Sequence, residues 1–317
     1  MQLTAYLINN LFLLIYTIVG GIDFGFGAII LIFLFRKRNA DFIFKIFSPV
    51  WEVNNVFLIF FIVTFYFFFP KAVDFYSGLY FFPAFLALLF LLIRTGSYLF
   101  LIFDSKKIIY YLGFGISSVL ACIFLSSYYL QFISPVGKSL DLINLSPINL
   151  CFFALAILFS INLAAAFNWI FIKYKNNELY PVFHNILRVS SVMIFILYGI
   201  LTFYEMLNNL DSDYVIVYII NSLVILGSTI YFVGSKSFHR VQTFLFAAAP
   251  IVTTVSTIVL TQYPYFSKYT NISISKSLAS HDVLVSLMIV IVLGLAITVP
   301  SMFVFYKMFF KGELDNE

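Results

Sequence analysis

The sequence predicts an all-α fold: a polytopic transmembrane helix bundle of about nine spans, amino terminus outside and carboxyl terminus cytoplasmic. Three observations predict it. Charged residues make up only 10% of the 317-residue chain and hydrophobic residues 62%, with a mean hydropathy of +1.03; a soluble domain carries about 25% charged residues. Nine stretches hold the roughly 20 largely apolar residues that a helix needs to cross hydrocarbon. Basic residues also concentrate in alternate loops, as they do when one set of loops faces the cytoplasm.

The first span, 3–35, is preceded by no lysine or arginine, since the first such residue is Arg36. It lacks the positive n-region of a signal peptide and is too long for one, so it is expected to stay in the protein as a helix. The second, 50–69, opens with a polar block around Trp51 and Glu52. The third, 75–103, encloses Arg94, and the fourth is 108–132. The remaining spans are 148–172, 182–207, 214–233, 241–263 and 283–310. The first, third and ninth exceed a plain crossing, which implies tilt or protruding ends. No polar linker divides the chain, so residues 1–310 read as one domain and 311–317 as a short cytoplasmic tail. Two longer connections, 133–147 and 264–282, carry Pro, Gly, Ser and Asn and do not read as folded domains.

With nine spans the termini lie on opposite sides. One set of loops and helix ends holds Arg36, Lys37, Arg38, Lys45, Lys106, Lys107, Lys173, Lys175, Arg188, Lys236, Arg240, Lys307 and Lys311. The other holds Lys71, Lys138, Lys268 and Lys276. The first set is expected to be cytoplasmic. The formal charge of +4 is small and its basic residues are scattered, which argues against nucleic acid as a partner. Cys122 and Cys151 lie in apolar runs and make no metal motif. His184, His239 and His281 sit at helix ends. A haem wants an axial ligand well inside a span, so this chain is expected to carry no redox centre of its own.

The polar residues inside the spans are where chemistry can reside. Gly21 and Gly25 have the spacing that lets two helix backbones approach closely. Between them lies Asp23, and a carboxylate near a helix centre costs roughly 2.5–3.5 kcal/mol on insertion scales. Such residues face a partner or a wet cavity. Counting at 1.5 Å per residue, Asp23 is about 18 Å from the cytoplasmic end of its helix and Arg94 about 14 Å from its own. Glu52 is expected about a turn inside its span. Arg94 can pair with either carboxylate, leaving the other to hold or release a proton. A purely structural ion pair is the plainer alternative.

These residues also carry a family resemblance. Gly21, Ile22, Asp23, Phe24, Gly25, Phe26 and Gly27 resemble the G-F-D-x-G-x-G of the first helix in subunit II of cytochrome bd-type quinol oxidases. Pro49 to Val56, with Trp51, Glu52 and Asn54, is similar to that family's P-x-W-[DE]-G-N-Q-V. Phe69, Pro70 and the run Phe75 to Tyr80 follow its W-P…F-S-G-x-Y, and Arg94 its R-P-x-G. The segment around Phe167, Asn168 and Trp169 and the stretch from His281 to Met308 extend the likeness over nearly the whole chain. Gly20 stands where the family often has a further Asp, Val53 replaces a Gly, Asn55 a Gln and Thr95 a Pro.

The resemblance implies a heterodimer in which subunit I carries b-type and d-type haems and oxidises quinol. Subunit II holds no haem, stabilises the complex and contributes to proton entry from the cytoplasm. Trp51, Glu52 and Asp23 would lie on the proton path. Asp23, Trp51, Glu52 and Arg94 would form an ion-pair site near which a quinone head can bind. The resemblance also allows a small single-helix accessory subunit and places the assembly in the cell membrane. The competing expectation is a stand-alone secondary transporter using Asp23, Glu52 and Arg94 as its ion site. Transporters tend to be built from repeats, and no second copy of the Gly20–Gly27 segment occurs.

Overall fold

The computed structural model describes residues 1–36, 41–103, 108–132, 144, 146–175, 179–208, 215–235, 238–267, 270 and 272–314, with backbone alone at 41–54, 131–132, 171–175, 205–208, 240 and 305–314. Nine long helices run through them: α1 (Gln2–Phe35), α2 (Asp41–Phe68), α3 (Pro70–Phe103), α4 (Ile108–Ser126), α5 (Pro147–Lys175), α6 (Tyr180–Asn208), α7 (Val215–Gly234), α8 (Arg240–Gln262) and α10 (His281–Leu314). A 3₁₀ segment (Ser127–Phe132) prolongs α4, and a four-residue α9 (Ile274–Ser277) sits in the connection before α10. A single antiparallel bridge, Tyr265 to Ser273, closes that connection. Eight of the long helices are apolar and long enough to cross a membrane within the described residues, and α2 adds the apolar stretch Asn55–Phe68. The chain is a multi-pass membrane protein.

Helix starts follow local chemistry. Pro70 and Pro147 occupy the first positions of α3 and α5, where a missing N–H costs nothing and the fixed φ suits the helix. Only Phe69 separates α2 from α3, so these two turn back on each other within one residue. Two expected boundaries differ. The second helix begins at Asp41 rather than at residue 50, because Ile43, Phe44, Ile46 and Phe47 extend the apolar pattern through Lys45. The tail expected at 311–317 is helical as far as Leu314.

The architecture is organised around α1, which packs against α2, α4 and α5. Its most apolar window is 67% buried, against 11% for α10, which lies beside α2. Helices α3 and α4 pair on one flank. On the other, α5 to α8 pack in succession and α8 returns to α5. Bulky aromatics fill the ends. Phe65, Phe69, Tyr76 and Phe266 interlock edge to face, with Phe69 and Phe266 centroids 4.8 Å apart at 83°. Trp169, Tyr180, His184 and Phe238 form a second cluster. His184 is therefore buried, stacked 4.5 Å from Phe238, and not at the surface its position at a helix end suggests. Nearby, Arg188 donates from Nε to Phe232 O (3.1 Å) and from Nη2 to Ser235 O (3.0 Å), capping carbonyls at the end of α7.

Candidate functional site

Asp23 and Arg94 meet in the interior. Arg94 reaches from α3 across α4 to α1, where Nη2 forms an ion pair with Asp23 Oδ1. The same Nη2 donates to the Asp23 backbone carbonyl at 3.3 Å, and Nε donates to Ser118 Oγ at 2.8 Å. Both residues are 1% exposed. The guanidinium carbon stands 4.7 Å from the centroid of Phe114 and 5.7 Å from that of Phe24, so two aromatic faces replace water around the cation. Ser118 in turn donates to Phe114 O at 2.6 Å. Removing two charges from water is costly, and only close pairing with further hydrogen bonds offsets it. Here three helices supply those bonds.

Glycines allow the approach. A Cβ on Gly25 would overlap the Ser160 carbonyl of α5 and come within 2.7 Å of Ala164 Cβ, whereas one on Gly21 would meet only Leu163 Cδ1, at 3.0 Å. A second close seam lies towards α4: a Cβ on Gly27 would overlap the Ser118 side chain, and one on Gly115 would meet Gly27 O at 3.0 Å. Because Gly27 lets α4 close in, Ser118 arrives beside Arg94. Neither Ser118 nor the Gly27 and Gly115 seam stood out in the sequence. The available signal was the pair Ser117 and Ser118, set in an otherwise apolar helix and preceded by Gly113 and Gly115.

The side chains of Trp51 and Glu52 lie outside the described residues, but their backbone belongs to α2. Glu52 is eleven residues into α2, about 16 Å along the helix axis from its first residue. Register across the α1 and α2 pair locates it relative to α1. Asn9 Nδ2 donates to Phe61 O at 2.9 Å and to Thr64 Oγ1 at 2.8 Å. These helices run antiparallel, so stepping back from Phe61 or Thr64 to Glu52 brings it level with residues 18 to 21 of α1. That is within about a turn and a half of Asp23. Asn55, one turn further along α2, is exposed.

Among the described residues no group of three or more His, Cys, Asp or Glu side chains is placed to hold a metal ion. The arrangement is thus a buried carboxylate paired with an arginine, with the backbone of Glu52 about level with the preceding turns of α1 on the neighbouring helix.

Comparison with known proteins gives this site its setting. The family model described as cytochrome bd terminal oxidase subunit II matches residues 1–309. A Bacillus subtilis (strain 168) protein named for subunit II of a cytochrome bd menaquinol oxidase is 34% identical over 96 residues. That match covers 30% of this chain and 27% of the relative. The bd oxidase structure from Geobacillus thermodenitrificans superposes with a TM-score of 0.76 at 21% identity, covering 97% of this chain and 98% of that one. The fold is shared end to end, and the chain belongs to the cytochrome bd terminal oxidase subunit II family.

Proposed function

We propose that this chain is the haem-free subunit II of a quinol:oxygen oxidoreductase in the cell membrane, stabilising a haem-bearing subunit I and contributing to proton uptake from the cytoplasm. The observation that carries the reading is the buried Asp23–Arg94 pair with the Glu52 backbone at nearly the same depth. Arg94 pairs with Asp23 and bonds the Ser118 hydroxyl between two ring faces. In this reading Glu52 is the carboxylate that takes up and releases protons, with its neighbour Trp51 on the same path. A quinone head can rest beside the same cluster.

In this reading the partner subunit supplies b-type and d-type haems. Quinol is oxidised to quinone with release of its protons outside, and dioxygen is reduced to water with protons drawn from inside. The residues of this chain would deliver some of those protons and hold the partner in place. Charge separation of this kind works against the membrane potential, at about 2.3 kcal/mol per charge for each 100 mV. The concentration of basic residues at alternate loops supports an external amino terminus and a cytoplasmic carboxyl terminus. Exposed Asn55, part-way along an apolar helix, supports a partner surface there, since a carboxamide facing lipid leaves its hydrogen bonds unmade.

The test is Glu52→Gln in the assembled complex. The carboxamide keeps the shape and removes the titration. Oxygen consumption and proton uptake should fall at least several-fold while haem content stays at the wild-type level. Unchanged turnover and uptake in a fully assembled complex would remove Glu52 from the proton path.

A further inference from the structure

The connection between α7 and α8 is fastened to the ends of α5 and α6 by side chains. Arg188 on α6 caps the Phe232 and Ser235 carbonyls, and Trp169 Nε1 on α5 donates to Phe238 O at 3.4 Å. Within the connection the His239 N–H donates to Tyr231 Oη at 3.3 Å. The Phe238 ring, 1% exposed, closes the joint. It stacks on His184 of α6 at 4.5 Å and 21°, and lies 5.1 Å from Trp169 and 5.6 Å from Tyr231. Rings at these spacings attract one another through contact area and their quadrupoles.

His184 is the unusual member. It is only 9% exposed, and its Nε2 has no hydrogen-bond partner. As a neutral ring it acts as one more stacking face. A proton on Nε2 changes that balance. The new N–H has no acceptor, and the charge stands one turn from Arg188 on the same helix, where like charges repel. Among the described residues, the charged and titratable groups around the ring are Arg188 and Tyr180 on α6 and, behind Phe238, Tyr231 on α7. From α5 it meets Trp169, and from the connection Phe238 and the Ser235 backbone. The ring faces and the Ser235 backbone attract a cation, but none of these groups is a carboxylate. Burying an ion without an opposite charge to pair with it costs more than ring faces return.

We propose that this joint is a proton-operated latch: protonation of His184 releases the α7–α8 connection from the ends of α5 and α6. The open form binds a proton for which the closed form has no place, so opening increases as the pH falls. The latch lies at the end of the bundle expected to face the cytoplasm, and acidification of that compartment is the signal that opens it. The inference does not rest on the role proposed for Glu52, since the Asp23–Arg94 pair is held by α1, α3 and α4 on the other flank.

Hydrogen exchange followed by mass spectrometry on the assembled complex tests the latch, with rates corrected for the intrinsic effect of pH. In the wild type, exchange in the segment 232–243 should rise about tenfold between about pH 7.5 and about pH 5.5, the gain expected when an imidazole titrating near 6.5 is protonated in the open form alone. Peptides from α1 should not change. His184→Phe keeps the stacking face and cannot take up the proton, so its segment 232–243 should exchange equally at both pH values. His184→Leu serves the same purpose if His184→Phe does not assemble. No rise in the wild type, or the same rise in the His184 variant, would overturn the proposal.

Discussion

Arg94→Leu should remove most of the assembled protein from the membrane fraction. The substitution leaves Asp23 1% exposed with its cation gone, and breaking a buried pair by deleting one partner costs about 3–5 kcal/mol. A domain whose whole margin is about 5–15 kcal/mol does not absorb that easily. Ser118 loses the Arg94 Nε–H bond as well. The compensating variant is Asp23→Leu with Arg94→Leu, which discards both charges together. Replacing an entire buried pair with apolar side chains is often neutral or stabilising, so yield should recover in the double variant. Size-exclusion yield at matched expression reads both results. If Arg94→Leu alone matched the wild type in amount, the pair would not be holding the three helices. If the double variant stayed as poor as the single one, the loss would come from packing and not from charge.

Gly25→Leu should be nearly as damaging, for a steric reason. Even the first carbon of the new side chain would overlap the Ser160 carbonyl, which is backbone of the neighbouring helix and cannot rotate away. Helices α1 and α5 would have to separate, and with them the hub of the bundle. Overpacking of a well-filled interior costs typically 1–3 kcal/mol, and more where backbone must move. Gly21→Ala is the control on the same face, because its Cβ meets only the end of the Leu163 side chain, at 3.0 Å. Thermal loss of the monodisperse peak in detergent should fall by many degrees for Gly25→Leu and little for Gly21→Ala. Equal shifts would mean that the α1 and α5 backbones are not in close contact at Gly25.

The difference between those two glycines explains what was legible in the sequence. The small-residue spacing announced a seam at Gly21 and Gly25, but which glycine touches backbone depends on how far each helix is rotated about its axis. The same limit governed the ion pair. An arginine and a carboxylate buried in apolar runs must find partners, so pairing of Arg94 and of Asp23 was readable from cost alone. That Asp23 is a partner of Arg94 was not readable by itself, since it rests on the lateral order of helices. Helix ends were readable where they were well marked, as for α1 and α3, which end at Phe35 and Phe103. The start of α2 was misjudged because Asp41, Lys45 and Ser48 mask a pattern that continues the helix back to Asp41. Ser118 was invisible for another reason: one short hydroxyl in an apolar helix usually donates to its own backbone. Only the three-dimensional neighbourhood separates one that also bonds a guanidinium from the rest.

The central claim is that this chain is a pigment-free subunit of a haem-bearing oxidase, with its ionisable residues serving proton uptake. Purification through an affinity tag on this chain, followed by a reduced-minus-oxidised absorption spectrum and separation of the subunits, tests it most directly. The account predicts a coloured complex whose haem absorbance stays with the partner subunit, while this chain, once separated, is colourless. A chain that purifies alone without absorbance in the visible region, as a transporter would, or one that retains iron porphyrin after separation, would contradict it.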